Sequence, residues 1–153
     1  MGEVFAVLSG KGGTGKTSVC AGVAEALAEE GRRVLCIDCD VGLRNLDISL
    51  GLSDSGALSF LDVLQGHYPL DKAAKHPLYP DLFFLTAPMN CPVESIDAPA
   101  FAALLRRARR EFDYFFLDSP PVWTRASVCQ LLPPTGFCWS PVPVRQLSGM
   151  PPG

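Results

Sequence analysis

Four short apolar runs precede Ser119: Val4-Phe5-Ala6-Val7-Leu8, Val34-Leu35-Cys36-Ile37, Leu82-Phe83-Phe84-Leu85 and Tyr114-Phe115-Phe116-Leu117. None alternates with polar residues. Continuous runs of this length predict strands buried on both faces, as in a parallel sheet. Between them the pattern changes. Ser18 to Glu30 is rich in Ala, Glu and Leu and predicts a helix, with Gly31 as its C-cap and Arg32 and Arg33 beyond. Leu58 to Gly66 predicts a short amphipathic helix with a glycine stop, and Ala98 to Phe112 predicts a longer one. Pro69 to Pro80 reads as a connecting region. This strand–loop–helix grammar predicts an α/β fold: a doubly wound, mostly parallel sheet with flanking helices.

The first loop carries the chemistry. Gly10-Lys11-Gly12-Gly13-Thr14-Gly15-Lys16-Thr17 fits the phosphate-binding pattern G-x-x-x-x-G-K-[ST]. It lies between the first predicted strand and the first predicted helix, which is the context the pattern needs. Glycines let the backbone close on phosphate oxygens. Successive N–H groups and the helix N-terminus then face the anion. Gly10 to Thr14, Gly15, Lys16, Thr17 and the following Ser18 are therefore the expected nucleotide-binding stretch. Lys16 is expected to reach the β- and γ-phosphates, and the Thr17 hydroxyl to bind Mg²⁺. The expected cofactors are ATP and Mg²⁺.

Two later runs end in acids. The second leads into Asp38-Cys39-Asp40, and the fourth ends at Asp118. Carboxylates at the C-terminal ends of parallel strands face the crevice where open α/β sheets bind ligands. Asp38 and Asp40 also suit a turn. An apolar strand ending in Asp is the Walker B arrangement, whose carboxylate holds Mg²⁺.

Lys11 is an additional lysine early in the loop. Lys11-Gly12-Gly13-Thr14-Gly15-Lys16-Thr17 resembles the deviant P-loop K-G-G-x-G-K-T of the MinD/ParA family of ATPases. The resemblance implies that Lys11 reaches across a dimer interface to the partner's nucleotide; spacing alone would leave it a solvated loop lysine. Asp38-Cys39-Asp40-Val41-Gly42-Leu43-Arg44-Asn45-Leu46-Asp47 resembles the D-x-D-x-G-L-R-N-L-D segment of that family's septum-site branch. This implies that Asp40 lies in the first switch, near the attacking water and Mg²⁺, with Asp38 supporting the metal site from behind. It also implies that Arg44, Asn45 and Asp47 lie on a surface that responds to nucleotide and dimerisation. A solvated loop is the alternative for these three. Asp118-Ser119-Pro120 is similar to the opening of the family's second switch.

The resemblance thus implies an ATPase of division-site placement that cycles through an ATP-dependent homodimer. Lys11, Lys16 and Asp40 would be catalytic, and Thr17, Asp38, Asp40 and Asp118 would serve the metal. The implied partners are MinC- and MinE-like or DivIVA-linked division proteins. Membrane attachment would run through a C-terminal amphipathic helix that is absent from this chain. The G-L-R-N-L-D segment argues against a ParA-type ATPase. A flagellar-number ATPase has similar switch sequences and stays open. A bacterial tyrosine kinase shares the P-loop but needs a tyrosine-rich C-terminal cluster, which the sequence does not show. An inactive fragment is the non-enzymatic alternative.

Composition narrows the picture. At 153 residues the length suits one domain, and 48% hydrophobic residues are enough for a core. A net charge of −3 gives no electrostatic footprint for nucleic acid. The run after Met1 is short and lacks a basic lead, so no signal peptide is read, and no apolar stretch is long enough to span a bilayer. The expected location is cytoplasmic. In that setting the 6 cysteines are expected as free thiols, with Cys36 and Cys39 small buried residues and not a redox or metal pair. Arg106 to Arg110 reads as a solvated helix face near the helix C-terminus, with a basic contact patch for a partner or an acidic lipid as the alternative. His67 and His76 lie outside any acid–thiol cluster and receive no role.

After Asp118 the chain changes character. From Ser119 onward there is no Asp, Glu or Lys, and 8 of the 14 prolines and both tryptophans fall there. No packed element is expected in this Pro-rich stretch, and a missing strand would leave an open sheet edge. The genetic code suggests why. When the third base of each codon is joined to the first two of the next, Phe137-Cys138-Trp139 forces Leu-Leu and Met150-Pro151 forces Ala. With permitted wobble bases the shifted frame reads as the family's second switch, a helix, a fifth strand and the segment after it. Residues 1–120 are therefore read as the N-terminal part of the ATPase domain, and residues 121–153 as an out-of-frame, largely disordered tail.

Overall fold

The computed structural model describes residues 2–8, 15–41, 45–52, 56–89, 96–119 and 137–139. Strand β1 (Glu3–Val7) leads to helix α1 (Lys16–Glu29) and strand β2 (Val34–Asp38). The short helices α2 (Leu46–Ser49) and α3 (Phe60–Leu64) follow, then strands β3 (Ala74–Lys75) and β4 (Leu82–Leu85). Helix α4 (Ala98–Glu111), strand β5 (Tyr114–Asp118) and strand β6 (Phe137–Trp139) complete the described chain. The sheet order is β3-β4-β2-β5-β1-β6. All pairings are parallel except β3 with β4. The mostly parallel, doubly wound α/β sheet expected from the apolar runs is the observed one.

All four predicted strands form, and their unbroken apolar character has a plain cause: both faces are covered. Leu35, Ile37, Phe115 and Leu117 point to one side, where α3 and α4 supply Phe60, Val63, Phe101 and Leu105. Val34, Cys36 and Phe116 point to the other, where α1 and α2 supply Cys20, Ala24, Leu46 and Leu50. Successive strand residues alternate between faces. Asp38 therefore follows the parity of Val34 and Cys36, and Asp118 that of Phe116. The alternation sends both carboxylates to the α1 face at the C-terminal edge of the sheet. They are also register partners on adjacent hydrogen-bonded strands, a spacing of about 4.8 Å between chains.

The lower end of the sheet fixes where the first loop emerges. The Gly2 N–H donates to Arg109 O at 2.7 Å, and the Arg109 Nε donates to Gly2 O at 3.0 Å. A Cβ on Gly2 would lie 2.0 Å from the Phe112 carbonyl oxygen. Only glycine allows this approach, which seats β1 in register beside β5. Arg106, Arg107 and Arg110 are exposed, as expected, and Arg107 pairs with Glu111 at 3.1 Å. Arg109 is half-buried in the clamp on Gly2 and departs from that expectation. Asp97 caps α4 through the Ala100 N–H, and Ser59 and Asp62 form a reciprocal capping box on α3.

Three elements differ from the expectation. The short strand β3 lies within the region read as connection. Helix α2 is a single turn within the segment that resembles the first switch. The third correction concerns the tail. Phe137–Trp139 pairs in parallel with Phe5–Val7, so the expectation of no packed element after Ser119 fails at these residues. The physical reason is the edge itself: beyond β1 lies a row of backbone donors and acceptors that an apolar three-residue run can satisfy. The rest of the proposed tail lies outside the described residues. Among those described, no helix is long and apolar enough to cross a membrane.

Candidate functional site

The site grows from the junction of α1 with β5. Gly15 precedes α1 with φ +76°, a left-handed conformation that favours glycine. Its carbonyl accepts the Val19 N–H at 2.9 Å. The chain therefore turns sharply into the helix, and the first two helical side chains, Lys16 and Thr17, project over the end of β5. Lys16 is only 7% exposed despite its charge. Its ammonium donates to Asp118 Oδ1 at 3.0 Å and to the Ser119 carbonyl at 2.6 Å. The Thr17 hydroxyl donates to the other carboxylate oxygen, Oδ2, at 2.6 Å. One buried carboxylate thus gathers the two side chains that the sequence assigns to phosphate and to Mg²⁺.

Asp38 forms the other half. It is buried, and its Oδ1 accepts the Asp40 N–H at 2.9 Å while its Oδ2 accepts the Leu46 N–H at 3.2 Å. Burial pushes its pKa up to about 7, and the neighbouring charges of Asp118 and Asp40 add to the rise. The two backbone N–H bonds work in the opposite direction and do not overcome the desolvation. The electrostatic count is therefore uneven. Asp38 and Asp118 share a strand edge, and the Lys16 ammonium bonds to Asp118, so among the described residues ionisation of Asp38 adds a buried negative charge to which no cation is bonded.

That imbalance tests whether Mg²⁺ fits. The cation favours hard oxygen donors, commonly one or two carboxylates together with substrate phosphates. The Asp118 carboxylate, the Thr17 hydroxyl and the Asp38 carboxylate are such a set. The Ser119 hydroxyl is also buried at this strand end and has no hydrogen-bond partner. The residues present suit a divalent cation bound with phosphate.

The remaining expected residues divide clearly. Gly15, Lys16, Thr17, Asp38 and Asp118 lie together at the strand ends of β2 and β5. Gly10, Lys11, Gly12, Gly13 and Thr14 lie outside the described residues, as does Arg44. Asp40 is half-buried and joins the site through its backbone N–H to Asp38. Ser18 faces outward on α1, away from the Lys16–Asp118 contact. Asn45 is exposed, but Asp47 is 9% exposed and its Oδ1 accepts the Ile48 N–H at 2.8 Å. The solvated loop offered as an alternative for Asp47 is thereby corrected, because the first turn of α2 folds its carboxylate inward. Cys36 and Cys39 are fully buried, as expected. The Cys39 thiol is pushed well above its usual range by burial first, then by the field of Asp38 and Asp118.

Sequence reasoning missed the direct partnership of Lys16 with Asp118 and the Ser119 carbonyl. These residues lie more than a hundred positions apart, and no local spacing signals the contact. His76 was also missed. It is 6% exposed, with Nε2 2.9 Å from Leu50 O and with Nδ1 facing the N–H groups of Leu78 and Tyr79 at 3.1 and 3.3 Å.

Residues 5–122 match the profile of the CobQ/CobB/MinD/ParA nucleotide binding domain. The chain belongs to this family. The septum site-determining protein MinD of Thermotoga maritima is 40% identical over 121 residues, covering 78% of this chain and 45% of that protein. A chain of the Aquifex aeolicus MinC:MinD cell division protein complex superposes with a TM-score of 0.67 at 38% identity, over 77% of this chain and 47% of the other. A Pyrococcus horikoshii MinD complexed with Mg-ADP gives a TM-score of 0.68 at 29% identity, over 86% and 54%. The chain thus spans about half the length of the curated relatives it matches.

Proposed function

We propose that this chain is the phosphate-binding part of an ATP-hydrolysing protein of division-septum site selection, working with ATP and Mg²⁺ through a nucleotide-dependent homodimer. The observation that carries the proposal is the convergence of the Lys16 ammonium and the Thr17 hydroxyl on Asp118 at the mouth of the sheet. Bound nucleotide would bring negative charge to an ammonium now satisfied by Asp118 and Ser119. Lys16 would then neutralise phosphate, leaving Asp118 and Thr17, with Asp38 behind them, to hold Mg²⁺. The cation would supply charge neutralisation for the β- and γ-phosphates. Lys11 and Asp40 would help align the attacking water. The likeness to septum-site proteins over the matched region supports this reading above a ParA-type or flagellar-number ATPase. MinC is the partner the likeness favours; MinE-like or DivIVA-linked partners and peripheral membrane attachment belong to the same proposal for a full-length protein, with a cytoplasmic location. The test is Mg²⁺-dependent ATP binding by the full chain, expected to disappear in Lys16→Ala.

We also propose that residues after about Pro120 are translated out of frame. One fact supports this: the family match stops at residue 122. Resequencing the DNA across codons 115–145 tests it. An additional base near codon 120 that restores the family reading is expected. A sequence identical to the present one in independently prepared source DNA would remove the sequencing-error form of the proposal.

A further inference from the structure

His76 lies far from the phosphate loop in sequence and outside the site described above, yet it is wired to it. Its ring is buried against Tyr79, with ring centroids 5.0 Å apart. Nδ1 faces two backbone N–H groups, those of Leu78 and Tyr79, so it must act as the acceptor. The proton is thereby assigned to Nε2, which donates to Leu50 O at 2.9 Å. Leu50 closes the C-terminal end of α2, its N–H returning to Leu46 O at 2.9 Å. At the other end of the same turn, the Leu46 N–H donates to Asp38 Oδ2. A continuous path thus runs from the imidazole through one helical turn to a carboxylate of the site.

The turn needs this tether. Four residues are too few for a helix to be stable by itself. On its inner side α2 is held by Leu46 and Leu50, which pack with Cys20, Ala21 and Ala24 of α1. That contact is apolar and non-directional. His76 supplies a directional bond from a different part of the chain, the β3–β4 connection. This connection is itself pinned, since the His76 N–H donates to Leu82 O at 2.8 Å. We propose that His76 is a positioning residue. It seats the 45–50 segment so that the Leu46 N–H holds the Asp38 carboxylate in its site orientation. The functional part of this inference rests on the ATP and Mg²⁺ reading above; the structural part does not.

Two side-chain amides separate the roles of the two ring nitrogens. In His76→Gln the amide N–H can take the place of Nε2 and still donate to Leu50 O. In His76→Asn the amide oxygen can take the place of Nδ1 and serve Leu78 and Tyr79, but the tether to Leu50 is lost. Hydrogen exchange in the nucleotide-free chain reads the first effect. Amides of Leu46, Leu50 and Leu52 are expected to exchange about fivefold faster in His76→Asn, the factor for one lost hydrogen bond, and near the wild-type rate in His76→Gln. The second readout is ATP binding. His76→Asn is expected to raise the Mg²⁺ concentration needed for half-maximal binding severalfold, with ATP affinity in EDTA unchanged. Equal exchange in the Asn and Gln variants, or changes confined to residues 76–82, would overturn the proposal. If ATP does not bind the wild-type chain, the functional reading falls, and the exchange comparison still decides whether His76 seats α2.

Discussion

Lys16→Ala and Asp118→Ala are each expected to lower the stability of the nucleotide-free chain by about 3–5 kcal/mol, and the double variant by clearly less than their sum. The expectation follows from burial. Lys16 is 7% and Asp118 1% exposed, and they meet at 3.0 Å. Removing either leaves the other charge in a desolvated site. Removing Lys16 also orphans the Ser119 carbonyl, which now accepts from the ammonium at 2.6 Å. Removing Asp118 frees the Thr17 hydroxyl and takes one negative charge away from Asp38. When both side chains are absent neither leaves the other's charge unpaired, and only packing and the weaker bonds are lost. The coupling should amount to at least about 2 kcal/mol. Urea unfolding of the four chains measures it, provided that m is unchanged and midpoints alone move. Additive losses would show that the pair is not a coupled unit in solution.

The second large effect concerns Asp38 and pH. Its folded pKa is raised to about 7, whereas an unfolded aspartate titrates near about 3.9. Between these values the folded chain binds the proton and the unfolded chain does not. The contribution of this proton to stability is therefore full below the unfolded value. It declines as pH rises and is lost as pH passes through about 7. Three units correspond to about 4 kcal/mol. Other carboxylates titrate over the same range, so the informative quantity is the difference between wild type and Asp38→Asn. Asparagine cannot ionise, and its amide can accept only one of the two N–H bonds from Asp40 and Leu46. The wild type is expected to lose its advantage by about 4 kcal/mol between pH 4 and pH 8. A difference that stays constant across that range would contradict the assignment. If Mg²⁺ binds beside Asp38 as proposed, it would favour the ionised form, and below pH 7 metal uptake should release a proton.

The sequence was most legible where one signal decided the outcome. The four apolar runs had to be buried on both faces, and they became β1, β2, β4 and β5. The glycine-lysine pattern between the first of them and the following helix located the start of α1, and a helix that starts there projects Lys16 and Thr17 over the strand ends. Asp38 and Asp118 were legible as strand-end acids. Their shared face follows from alternation along each strand, but their adjacency requires the strand order, which no local pattern states. Elements built from tertiary contacts alone were illegible. Helix α2 is one turn, stabilised by Asp38 at one end and His76 at the other. Strand β3 has two residues, which leaves no period to detect. Strand β6 sits in a proline-rich stretch and is recruited by the open edge of β1. His76 looked isolated because its partners are backbone groups, which carry no residue signature.

The end of β5 is proposed as a nucleotide-phosphate site. Calorimetric titration of the full chain with ATP, in Mg²⁺ and in EDTA, tests it most directly, with Lys16→Ala and Thr17→Ala alongside. The expected result is saturable binding of one ATP per chain in Mg²⁺, abolished by Lys16→Ala and stripped of its Mg²⁺ dependence by Thr17→Ala. Absence of binding by a wild-type chain shown to be folded, or binding that survives unchanged in Lys16→Ala, would contradict it.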